Sequence, residues 1–137
     1  MTVFVDTSFW YAAVDSRDSF NTRAKKLLSS LPSRLTSDYV LLETWRLLQL
    51  RLGWKVAEAF WQGLKSGVSQ VENVTVADLE VAWGIGESFA DQEFSLTDRT
   101  SFAVMQRLGI NSVASFDSDF AIYRFGAGKR QAFEILR

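Results

Sequence analysis

Histidine and cysteine are both missing from this 137-residue chain, and it has a single proline, Pro32. Without the first two it cannot build serine–histidine or cysteine–histidine nucleophile systems, nor zinc sites of the usual His/Cys kind. With no disulfide to form, nothing asks for an oxidising compartment. No uninterrupted apolar stretch approaches the roughly 18–20 residues that span a bilayer. Asp6 interrupts the N-terminal apolar run too early for a signal peptide. The expected location is therefore the cytoplasm, with no membrane contact. Charge of either sign is also not in excess: 15 Lys+Arg against 16 Asp+Glu leave a net −1. A nucleic-acid partner would need a local basic surface.

What is there favours a well-packed globule, with 47% hydrophobic and 14% aromatic residues. The length fits one domain over residues 1–137. Repeats, low-complexity tracts and linkers are absent. The chemistry left to the chain is that of carboxylates, hydroxyls, Lys/Arg and Tyr, and carboxylates suit hard cations such as Mg²⁺ or Mn²⁺.

The apolar run Val3-Phe4-Val5 ends abruptly in Asp6-Thr7-Ser8, and Val113-Ala114-Ser115-Phe116-Asp117 repeats the pattern near the other end. Such runs read as buried strands, and ligands of α/β sheets gather beyond the carboxyl ends of strands. Patterning predicts strands at 2–5, 34–36, 69–72, 112–115 and 132–136. Helices are predicted at 8–14, 18–30, 38–52, 54–65, 76–89 and 97–108, with a short turn of helix near 118–123. Strands separated by helices imply right-handed crossovers and an α/β fold, its mostly parallel central sheet covered on both faces.

The helix over 38–52 is apolar nearly all round, so substantial burial is expected, with Gly53 as its stop signal. Glu43 lies within it, between Val40 and Leu47. A carboxylate there needs a partner: either Arg46, three positions on, or a metal. Asp6 suits helix capping and metal binding equally. Ser95-Leu96-Thr97-Asp98 matches a capping box, as does Thr75-Val76-Ala77-Asp78. For Asp78 capping is the whole reading. Asp98 differs, because Phe102 and Met105 follow on the same stripe and turn it toward the core. Asp117 suits the N-cap of the short helix after it, and Asp119 is available for the same duty. Two acids at strand ends and two on apolar helix faces would repel one another if they clustered, and a divalent cation would compensate them.

These residues resemble a known family. Val5-Asp6-Thr7-Ser8, Glu43 in its hydrophobic helix, Leu96-Thr97-Asp98 and Ser115-Phe116-Asp117-Ser118-Asp119-Phe120 look like the acidic motifs of PIN domains, most of all the VapC-type ribonuclease toxins. The likeness runs from Asp6 to Phe120. It implies a three-layer α/β/α sandwich and Mg²⁺-dependent cleavage of RNA. It also implies a homodimer and a small antitoxin protein as partner. Asp6, Glu43, Asp98 and Asp117 match the four family acids, as catalytic and metal-holding residues, with Asp6 and Asp98 expected to contact the metal. Thr7 and Ser8 match a hydroxyl-bearing position that shapes the site. Asp119 matches a position where the family accepts other residue types. Many relatives carry a histidine after the first helix, where this chain has Phe20-Asn21.

Arg46 and Arg99 each follow a site acid closely, so they are candidates for substrate phosphates or for neutralising those acids. Lys25-Lys26, Arg51, Lys55 and Lys129-Arg130 read as solvated surface. Gly126-Ala127-Gly128-Lys129 resembles a phosphate loop but fails: Tyr123 stands where Gly is needed and Arg130 where Ser or Thr is needed. Trp10, Trp45, Trp54, Trp61 and Trp83 read as core or interface more than as base-stacking groups, with a dimer or antitoxin groove near Trp54, Phe60 and Trp61. Competing classes fit less well. A phosphoacceptor receiver wants an aspartate ending its third strand, where Ser69-Gln70-Val71-Glu72-Asn73 has none. A haloacid-dehalogenase-type phosphatase wants a second Asp where Ser8 stands. A PIN-type RNA-processing nuclease outside any toxin–antitoxin pair, or a catalytically silent PIN fold used for protein binding, stays open as an alternative.

Overall fold

The computed structural model describes residues 1–137 throughout. Five strands, β1 (Thr2–Val5), β2 (Ser33–Ser37), β3 (Gln70–Glu72), β4 (Ser112–Ala114) and β5 (Glu134–Leu136), form one sheet in the order β3-β2-β1-β4-β5. Every pairing is parallel. Parallel neighbours need crossovers, and helices supply them. They are α1 (Thr7–Val14), α2 (Asn21–Ser30), α3 (Asp38–Leu52), α4 (Trp54–Lys65), α5 (Val76–Ser88), α6 (Leu96–Leu108) and the single turn α7 (Asp119–Ile122).

β1 is central because it is apolar on both faces: Val3, Phe4 and Val5 are each fully buried. The chain first builds outward from β1 to β2 and β3, then crosses back to lay β4 and β5 on the other side. The strand order therefore reverses at β1/β4, where a crevice opens beyond the carboxyl ends of both strands. Asp6 follows β1 directly, and Ser115-Phe116-Asp117 follows β4.

The burial of α3 corrects the expectation from its sequence. Only Val40, Thr44 and Leu48 are buried, one stripe at i, i+4, i+8, while Leu42 and Leu50 stand 65% and 73% exposed. One face of α3 meets the rest of the molecule, and its leucine-rich outer face has no element of this chain to cover it. Two 3-10 turns, at Ala90–Gln92 and Ala127–Lys129, were not foreseen in the patterning. Thr75 and Asp78 form the expected capping box.

Candidate active site

The site is built where β1, β4, α6 and α7 meet. Asp6 is 2% exposed, and its backbone N–H bonds the Ala114 carbonyl at 3.1 Å, so the end of β1 is clamped to the end of β4. Its carboxylate Oδ2 accepts from Ser8 Oγ at 3.0 Å and from Ser115 Oγ at 2.9 Å. Those hydroxyls in turn accept backbone N–H groups, Ser8 from Phe116 and Ser115 from Asp117, both at 3.0 Å. Two serines thus tie the loop after β4 to one carboxylate. Thr7 differs from Ser8: its hydroxyl is buried without a partner, while its backbone N–H supports Asp6.

Asp98 sits in the first turn of α6, where its N–H is capped by Ser95 Oγ at 3.1 Å and its carboxyl turns inward. Carboxyl oxygens of Asp98, Asp117 and Asp119 all lie within 4.8 Å of one another. Asp117 Oδ1 accepts the Asp119 N–H at 2.9 Å, which aims both side chains from the same tight turn. Burial drives the Asp98 carboxyl far above the usual carboxylate range. A hydrogen bond with Asp119 and the charges of Asp6, Asp117 and Asp119 push it further the same way. Asp6 rises from 3.8 to about 6, chiefly through burial; the Ser115, Ser8 and Thr7 hydrogen bonds oppose the rise, and the Asp117 charge adds to it.

The remaining residues fall elsewhere. Glu43 is not on a buried face: it is exposed, forms no ion pair with Arg46, and does not join the compact trio. Instead, Glu43 and Arg46 line a groove of about 560 Å³ with Tyr39, Leu42, Leu50 and Thr97, the neighbour of Asp98. Arg99 turns away from the acids. Its guanidinium donates to the Ala82 carbonyl of α5 at 3.3 Å and crowds Gly86, so it holds α5 to α6 and neutralises no acid. Asp119, which the sequence left as a possible cap, is a full member of the cluster. Its signals in the chain were its place in the resembling Ser115–Phe120 motif, at a position that accepts other residue types, and its spacing of two from Asp117 across an exposed Ser118, which lets a single turn present both carboxyls. At the Phe20-Asn21 departure, Asn21 caps the end of α1 by donating to the Ala12 and Ala13 carbonyls at 2.8 and 3.1 Å.

The donor set fits a divalent cation. It is all carboxylate oxygen, the type hard cations prefer; burial chiefly, and like charges after it, raise Asp6 and Asp98, and both costs are ones a bound cation would relieve.

Residues 3–126 match the PIN domain model. The chain belongs to the PIN-domain family. Within it the resemblance is to VapC proteins: the chain is 42% identical over 124 residues to the 23S rRNA-specific endonuclease VapC20 of Mycobacterium tuberculosis, covering 90% of this chain and 95% of that one. The crystal structure of Mycobacterium tuberculosis VapC20, described as a sarcin-ricin loop cleaving toxin, superposes with a TM-score of 0.83 at 41% identity, over 88% of this chain and 93% of the other. A toxin–antitoxin complex from Klebsiella pneumoniae matches at 14% identity with a TM-score of 0.70, over 98% of this chain and 96% of that one, a likeness of fold alone. The PIN fold of this chain is thus the α/β arrangement its sequence patterning implied, with helices on both faces of a parallel sheet.

Proposed function

We propose that this PIN domain, one unit over residues 1–137, is a divalent-metal-dependent ribonuclease acting in the cytoplasm as the toxin of a type II toxin–antitoxin pair. The observation that carries the reading is the meeting of Asp98, Asp117 and Asp119 within 4.8 Å, beside the buried Asp6. Kinship with VapC20 adds the substrate class, and makes the sarcin–ricin loop of 23S rRNA the first RNA to test. A small antitoxin and a second copy of the chain are the expected protein partners.

Asp6, Asp98, Asp117 and Asp119 would hold Mg²⁺ (or Mn²⁺), with Glu43, exposed on the groove wall, completing the shell directly or through water. When bound, the ion supplies Lewis-acid stabilisation of the phosphate and a water of lowered pKa. The chain's own residues set the conditions for that. Ser8 and Ser115 hold the Asp6 carboxylate in one rotamer and favour its ionised form. The Asp117–Asp119 turn fixes two more oxygens against Asp98. The carboxyls not occupied as ligands can orient an attacking water and take its proton. Arg46 stands in the groove with an exposed guanidinium free to meet RNA phosphate.

The test is cleavage of ribosomes and of isolated rRNA by purified protein, with Mg²⁺, with EDTA, and with Asp6→Asn or Asp98→Asn. Metal-dependent cuts at one position, lost in both variants, are expected. Equal cleavage by wild type and variants would overturn the reading.

A further inference from the structure

Three phenylalanines far apart in the chain form one continuous stack beside the acids. Phe9, fully buried in α1, lies 5.0 Å from Phe116 at an interplanar angle of 9°; Phe116 lies 4.4 Å from Phe20 at 10°. The stack therefore runs from the core outward and ends on Phe20, which is 44% exposed. Aromatic pairs in the core of this protein mostly meet edge-on or tilted, as in Phe94–Phe102 at 84° and Phe102–Phe120 at 84°. Phe102 and Tyr123 also stack, 4.2 Å apart at 4°, but both are buried; what distinguishes the Phe9–Phe116–Phe20 column is that its last ring opens to solvent.

The position of the stack matters more than its geometry. Phe116 is the residue immediately before Asp117, and its backbone N–H is held by Ser8 Oγ, which donates to Asp6. The middle ring is thus fixed by the same serine that fixes a site carboxylate. Phe20 is held independently, its N–H bonded to Asp18 Oδ1 at 2.8 Å in the loop between α1 and α2. One face of Phe20 is occupied by Phe116. A flat group stacked on the other face would extend the column by one ring, at the edge of the acidic crevice.

We propose that Phe20 is a nucleobase platform: a base of the RNA substrate, adjacent to the phosphate held at the acid cluster, stacks on its open face. The inference rests on the ribonuclease reading and deepens it by naming a positioning residue. A base has the flat π-face that such a column accepts, and base–aromatic stacking contributes about 1–3 kcal/mol per base. Because the column is rooted in the core through Phe9, the platform is preorganised and little side-chain freedom is lost on binding. Arg17, in the same loop, is loosely paired with Asp15 at 3.8 Å, but its side chain is 79% exposed and can turn to the backbone phosphate that accompanies such a base.

The experiment first maps the cut made by wild-type protein in rRNA, then measures cleavage of a hairpin spanning that cut by wild type, Phe20→Leu and Phe20→Tyr. Phe20→Leu keeps an apolar cover on Phe116 but removes the ring. It should raise KM by about 5- to 150-fold, on the scale of one lost stacking contact, with kcat and the melting temperature close to wild type. Phe20→Tyr should restore KM. A 2-aminopurine placed next to the cut should be quenched by an Asp98→Asn protein and not by the Asp98→Asn/Phe20→Leu double variant. Unchanged KM and unchanged quenching in the Phe20→Leu proteins would overturn the proposal while leaving the nuclease reading intact. Altered oligomeric mass with unchanged KM would overturn it too, assigning the ring to a contact between protein chains. Absence of any wild-type cleavage would remove the nuclease reading itself, and the platform with it.

Discussion

Ser115 Oγ donates to Asp6 Oδ2 across 2.9 Å, although the two residues are 109 positions apart in the chain. That bond joins the ends of the two strands between which the site opens, and it opposes the effect of burial on Asp6. Hydrogen bonds to charged groups contribute about 1.5–3 kcal/mol. Ser115→Ala should therefore drive the Asp6 pKa above its value of about 6. If Asp6 acts as the proposed ligand, in its ionised form, the acid limb of the pH–rate profile should move to higher pH. A profile identical to that of wild type would show that the serine does not tune the acid.

The metal-free protein should be more stable at mildly acidic pH than at alkaline pH, as far as the site acids govern it. Asp6 and Asp98 both have folded pKa values raised above the unfolded one. A raised acid contributes stability that is fully present below the unfolded pKa and lost as pH rises through the folded pKa. For Asp6 that window runs from about 4 to 6, and the rise corresponds to roughly 3 kcal/mol. Urea denaturation in EDTA across pH 4.5 to 8.5 checks the slope. Asp98→Asn removes the most strongly raised acid, so the metal-free variant should outlast wild type at pH 8. Saturating Mg²⁺ should narrow the difference.

Asp78 works in the opposite direction. It accepts from Arg107 Nε at 3.0 Å and from the Thr75 N–H at 2.9 Å, closing a capping box at the start of α5. Burial alone would raise it, but these bonds outweigh burial and its pKa is lowered. Its contribution is present above the unfolded pKa near 3.8 and disappears as pH falls through the lower folded value. Asp78→Ala should cost about 1–3 kcal/mol in unfolding free energy at pH 7, from the lost cap and the lost Asp78–Arg107 bonds, with Arg107 keeping Glu72 at 3.1 Å and the remaining folded protein still active. Loss of activity without loss of stability would contradict this structural role.

The two arginines singled out in the sequence should separate cleanly. Arg46→Ala, which opens the groove beside Thr97, should raise KM and lower the salt dependence of RNA binding by roughly 0.7 in the log–log slope, the single-strand value for one phosphate contact. Arg99→Ala should leave both unchanged and lower the melting temperature, because its guanidinium bonds the Ala82 carbonyl instead of facing the acids. Matching effects of the two substitutions on RNA affinity would sink the distinction.

Much of this architecture was legible along the chain because its causes are local. Runs such as Val3-Phe4-Val5 bury as strands, the 3.6-residue periods bury as helices, and Thr75…Asp78 caps a helix within four residues. The gathering of Asp98 with Asp117 followed from Asp98 preceding a core stripe and Asp117 following a strand. Misreadings arose where distance in space was the deciding factor. The leucines of α3 look like core, yet Leu42 and Leu50 have no neighbouring element to cover them. Arg99 follows a site acid by one residue, but a helix turns successive side chains by about 100°, toward α5 here.

Residue order alone determined that acids would end β1 and follow β4, and that only oxygen donors would be available to a cation, since no histidine or cysteine exists in the chain. Folding decided the membership: Asp119 enters the cluster, Glu43 stands at the groove, and Phe20 closes a column begun by Phe9. Such outcomes depend on how strands from opposite ends of the polypeptide pair and on which side chain reaches across the crevice. Those are through-space distances, and no linear pattern encodes them.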